Sequence, residues 1–134
     1  MYPEVFLRDA ITHATGVPVF PVQAPIDAVT PFAVYMRKST ERITSMQESS
    51  PMAVAAFEVM IVTSSRGEGG YMEGKELSQS IINVLKDYRG LSPACIVLKV
   101  IIDDQADGTP AEREGQTDPD YVQVLSITIN YEEQ

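Results

Sequence analysis

The feature that most constrains this chain is the run Ala55-Ala56-Phe57-Glu58-Val59-Met60-Ile61-Val62-Thr63. In an extended strand successive side chains point to opposite faces. One face then carries Ala55, Phe57, Val59, Ile61 and Thr63, and the other carries Ala56, Glu58, Met60 and Val62. The first face is apolar, and only Glu58 interrupts the second. A strand apolar on both faces belongs inside a sheet rather than at its rim. After it come Gly67, Gly69 and Gly70, which predict a turn, and then a helical pattern. Leu77, Ile81, Val84, Leu85 and Tyr88 fall on one stripe, with Lys75, Gln79, Asn83 and Lys86 opposite. That stripe needs an apolar surface, and the nearest is the sheet holding the preceding strand.

The other elements are arranged around this unit. A first helix is predicted from Pro3 to Thr15: Pro3 suits a first helical position and Gly16 the left-handed residue after the last turn. Its stripe is Leu7, Ala10, Ile11 and Ala14, with Phe6 beside it. Pro18 and Pro21 each remove a ladder donor, so the segment 17–25 is an edge strand or an extended stretch. Phe32 to Arg37 reads as a strand, and the polar residues 39–51 as a long hairpin connection, mobile or used for contact. Gly90 and Pro93 close the second helix, and Ile96 to Ile102 forms the fourth strand. The acidic segment 103–120 reads as a second long connection. In the last strand, Tyr121 to Tyr131, Leu125, Ile127, Ile129 and Tyr131 alternate with Ser126, Thr128 and Asn130, the pattern of a half-buried antiparallel strand. The expected fold is α+β: one domain over 1–134, a mostly antiparallel sheet of four to five strands packed against two helices.

Composition narrows the function classes. At 134 residues the chain has room for one domain with a real core. A net charge of −9 argues against nucleic-acid binding through phosphate contacts, which needs a surplus of Lys and Arg. No apolar run is long enough to span a membrane, and no basic-then-apolar N-terminal segment suggests a signal peptide, so a soluble domain made inside the cell is expected. Cys95, the single cysteine, heads an apolar run and reads as a buried inert thiol. His13, the single histidine, sits in the last turn of the first helix, where a cation is mildly favoured.

Two patterns resemble chemical sites. Gly69-Gly70-Tyr71-Met72-Glu73-Gly74-Lys75 has the glycine and lysine spacing of a phosphate-cradling loop, between a strand and a helix, and Asp103 imitates the metal-side aspartate of nucleotide hydrolases. Against it, Glu76 stands where a hydroxyl should hold Mg²⁺, and the predicted helices are too few for a parallel sheet. Asp103, Gln105, Asp107, Gly108 and Glu114 match the ligand spacing of a calcium loop. There Gln105 is an unusual ligand, Pro110 stiffens the centre and strands flank the segment, so a solvated acidic connection is expected. Nucleophilic and zinc chemistry lack the residues they need, so no catalytic, cofactor or metal site is expected. The chain reads as a structural or interaction module.

The order of elements resembles the tail terminator (tail completion, minor tail protein U-like) family of tailed bacteriophages. The resemblance runs from the N-terminal helix through Val17-Pro18-Val19-Phe20-Pro21-Val22-Gln23-Ala24-Pro25 and Thr30-Pro31-Phe32-Ala33-Val34-Tyr35. It continues through Ala56-Phe57-Glu58-Val59-Met60-Ile61-Val62, the Leu77-to-Leu85 helix, Ile101-Ile102-Asp103-Asp104 and Ile127-Thr128-Ile129-Asn130-Tyr131. It implies a non-enzymatic virion protein, made in the host cytoplasm, that forms a homo-hexameric ring. The ring would cap the major tail tube protein, stop tube growth and meet the head connector or stopper protein, with no sequence-specific nucleic acid and no membrane as partner. The expected contact residues lie on the two long connections: Arg42, Met46 and Glu48 on the first, Asp107, Glu112, Arg113 and Glu114 on the second. Another neck or adaptor protein of similar fold is the alternative, and a phosphate-loop nucleotide-binding protein a further one.

Overall fold

The structure is a computed structural model, and it describes residues 3–25, 27–44, 49–64, 70–86, 90–91, 96–110 and 120–132. Helix α1 spans Pro3–Thr15. Past its last turn Gly16 adopts a φ of 71°, and its N–H donates to Thr12 O at 2.8 Å, a C-terminal cap that a residue with Cβ would strain. Strands β1 (Val19–Pro21), β2 (Phe32–Thr44) and β3 (Ser49–Thr63) follow, then helix α2 (Gly70–Leu85) and strands β4 (Gly90–Leu91), β5 (Ile96–Asp107) and β6 (Tyr121–Glu132). They build one sheet in the order β1-β2-β3-β6-β5-β4. Only β1 with β2 is parallel; every other neighbouring pair is antiparallel. This is the expected single α+β domain, with the two-residue β4 as an addition.

The alternation in 55–63 is realised as expected. Ala55, Phe57, Val59 and Ile61 are buried under both helices with Phe6, Leu7 and Ile11 of α1, Ile81 and Leu85 of α2, and Leu125, Ile127 and Ile129 of β6. Each of these strand residues removes its side chain from water, at about 25 cal/mol per Å² of apolar area. Across the sheet, Val59 pairs with Tyr35 on one side and Leu125 on the other, which places β3 in the sheet's interior. Arg37, next to Phe57 in the register, ties α1 to this face. Its guanidinium is bonded to Glu4, donates to Thr40 Oγ1 at 2.8 Å and lies 5.5 Å from the centre of the Phe57 ring.

The prolines of 17–25 do sit on an edge. β1 ends the sheet, and its inner side is closed by Ala33 N–H donating to Pro18 O at 2.9 Å and Val22 N–H donating to Tyr35 O at 2.8 Å. There the chain turns sharply: Gln23 N–H donates to Pro21 O at 2.6 Å around Val22, whose φ is 64°. This is a γ-turn of the positive-φ kind, a strained conformation for a β-branched residue.

Three boundaries need correction. The polar run 39–51 is mostly strand: β2 continues to Thr44 and β3 begins at Ser49. Its ladder holds because β3 is fixed on its other side by β6 as far as the Met52–Glu132 pair, so exposed residues are carried along as strand without burying an apolar face. Likewise β5 runs on to Asp107 through acidic residues expected to form a connection, since Asp104 to Asp107 pair with Ser126 to Gln123 of β6. Gly90 is a residue of β4, and α2 ends at Leu85; Tyr88 and Pro93 lie outside the described residues.

Candidate functional site

Of the expected contact residues, Arg42 and Asp107 fall within the described residues; Met46, Glu48, Glu112, Arg113 and Glu114 lie outside them. Neither of the two is on a loop. Arg42 is exposed on β2 opposite Ala53, and Asp107 is the last residue of β5 opposite Gln123. The register separates them: Ala53 pairs with Tyr131 at one end of β6, and Gln123 lies near the other. The structure therefore does not gather them into one surface.

Asp107 has a different setting. Its Oδ1 accepts from Gln123 Nε2 at 2.6 Å and its Oδ2 accepts from the Tyr71 hydroxyl at 2.9 Å. Gln123 first, and then Tyr71, hold the carboxyl below the usual aspartate value. Lys75 lies 4.7 Å from the centre of the Tyr71 ring, and the Tyr71 hydroxyl raises its pKa. Tyr71 also meets Tyr121 edge-on, with ring centres 5.7 Å apart. The group fastens the first turn of α2 to the ends of β5 and β6. Sequence patterning could not reveal it, because it joins polar residues from three separate segments, the exposed Tyr71, Lys75 and Asp107 with the buried Gln123.

The same geometry answers the phosphate-loop motif. Gly74 and Lys75 lie inside α2, one turn past its start at Gly70, rather than in a loop ahead of the helix. Gly74 is buried, and a Cβ there would lie 3.2 Å from Gln123 Cγ and 3.3 Å from Thr63 Oγ1, so this glycine serves close helix-to-sheet packing. Gly69 lies outside the described residues. In the calcium-like pattern Asp103 to Asp107 are extended in β5, where Asp103 accepts from Thr128 Oγ1 and Asp107 from Tyr71 and Gln123. A strand cannot wrap these side chains around one ion. Among the described residues no cluster of His, Cys, Asp or Glu could hold a metal ion, and no helix is long and apolar enough to cross a membrane. His13 is exposed on α1; Cys95 and Glu114 lie outside the described residues.

The sheet face away from the helices carries a second apolar cluster. Phe32 and Val34 of β2, Val62 of β3 and Val122 of β6 are buried there with Ala28, and Phe20, Ala24, Met60 and Val124 pack beside them. Between the Val22–Ala24 turn and the Asp107–Thr109 segment this face opens into a groove of about 610 Å³. Its floor is Val34, Met60, Val62 and Val124, and Glu58 also lines it. The sequence signal for this site was the break that Glu58 makes in the second face of its strand.

No protein-family model matches the chain, and a search of curated proteins finds no match.

Proposed function

We infer that the chain is a structural assembly protein of a tailed-phage particle, a tail terminator that closes into a hexameric ring on the end of the tail tube. The element order that resembles that family supports this reading, and so does the observed α+β architecture. The observation that carries it furthest is the unlikeness of the two sheet margins. Beyond the three positions paired with β1, the outer side of β2 has no strand partner among the described residues, and beyond β4 neither has that of β5. Two different open margins suit head-to-tail contacts, and head-to-tail contacts close into rings when the rotation permits. Lys38 and the bulges between Arg37 and Ser39 and between Ile102 and Asp104 guard these margins against indiscriminate pairing. A ring of this kind would then form weakly alone and be driven by the tube end.

The test is to mix the purified chain with isolated tail tubes and image the tube ends by electron microscopy. Rings on one end, in step with loss of tube elongation, are expected. A chain that never occupies a tube end at any salt or protein concentration would remove this reading. A different neck or adaptor protein remains the second reading, and binding to the head connector without binding to tubes would favour it.

A further inference from the structure

Glu58 and Asp107 are the two charged residues that line the groove; Asp107 is held by Tyr71 and Gln123, whereas the Glu58 carboxylate bonds to no donor or cation among the described residues. It is half-buried in the middle of β3, between Met36 of β2 and Ser126 of β6, with Ala56 and Met60 as its neighbours along the same face. Several other carboxylates are engaged: Glu4 by Arg37, Asp103 by Thr128, Asp107 by Tyr71 and Gln123. A glutamate in the interior of a central strand is disfavoured by packing, and partial burial removes some of its hydration without a compensating bond. The walls of the groove add to the picture. Val22 is 61% exposed at one rim, held there by its positive-φ turn. At the other rim Gly108 lies flush on the floor: its N–H donates to Val122 O at 2.8 Å, and a Cβ would come within 2.8 Å of Val124 Cγ2.

We propose that this groove binds a short extended segment of a partner protein that presents one lysine or arginine between aliphatic residues. The cation meets Glu58, and the aliphatic neighbours lie on Val34, Met60 and Val124. The volume, about 610 Å³, suits a few residues, and a largely apolar lining with a few placed polar groups is how such sites fix orientation. The chain's net charge of −9 attracts a basic segment and repels an acidic one. This inference stands apart from the ring reading, since it concerns the lone chain and one groove.

The experiment titrates the full chain with the peptide acetyl-Ala-Val-Lys-Val-Ala-amide, following methyl resonances by NMR, and repeats it with glutamate in place of the lysine. Shifts confined to the methyls of Val34, Met60 and Val124 are expected with the lysine peptide and absent with the glutamate peptide. Glu58→Gln keeps the side-chain shape and should weaken binding about tenfold, the size of one lost charge-assisted bond. The proposal is overturned if neither peptide moves these methyls, if Glu58→Gln binds the lysine peptide as well as the parent, or if the glutamate peptide binds equally. Concentration-dependent shifts of the same methyls without peptide, lost in Glu58→Gln, would overturn it in favour of a second copy of the chain.

Discussion

At Val22 a β-branched side chain is held at a φ of 64° while remaining 61% exposed, so the strain of the turn is not offset by burial. Such conformations cost about 1–3 kcal/mol, and glycine returns part of that gain through its freer unfolded state. Val22→Gly should therefore raise stability by about 1 kcal/mol in urea unfolding. Gly74 behaves in the opposite sense. Helix propensity alone favours alanine by about 1 kcal/mol, but the new Cβ would press on Gln123 and Thr63. Both are tethered, Gln123 to Asp107 at 2.6 Å and Thr63 to Gly70 O at 2.7 Å, and cannot easily give way. Gly74→Ala should lower stability by about 1–2 kcal/mol, and a higher melting temperature would show that the tethers yield. Asp107 sets a pH dependence. Its folded pKa is depressed by Gln123 and then Tyr71, so its contribution is present above the unfolded aspartate pKa. That contribution is lost as pH falls through the depressed folded value. The stability difference between the parent and Asp107→Asn should shrink steadily on acidification, measured by urea unfolding at a series of pH values.

At the scale of elements, β3 carries the architecture. Val59 is fully buried between Tyr35 and Leu125, so Val59→Asp puts an unpaired carboxylate under both helices. The cost is several kcal/mol against a typical total stability of about 5–15, and circular dichroism should show an unfolded chain. This strand, α1 and β6 were legible in the sequence because burial imposes a period on them: alternation in 55–63 and 125–131, a stripe and two end signals in 3–16. The outer half of β2 and the end of β5 were not legible. Their backbone is held by a neighbouring ladder while most of their side chains face water, and water imposes no period on Lys38, Ser39, Glu41 or Asp104. The candidate site divides in the same way. Glu58 stood out as a break in an apolar face, whereas the groove around it needs the Val22 turn to fold over β2, and no local pattern announces that.

For the whole molecule, charge sets the conditions under which the proposed ring would assemble. Each copy brings a net charge of −9, so a ring of such chains is opposed by its own field. Raising salt should shift the free chain toward rings by screening that repulsion, with light scattering as the measure; rings that dissolve as salt rises would contradict it. The position of β6 has a consequence in time. It pairs with β3 on one side and β5 on the other, yet it is the last of the described strands to leave the ribosome. Until it arrives, β3 has one neighbour and an open apolar flank, and β5 has nothing to join it to the first half of the sheet. Long-range ladders form slowly, and an uncovered strand flank invites association with other nascent chains. Every newly made copy thus passes through an interval in which its most apolar strand is half covered, and the interval closes only when 121–132 slides between the two halves.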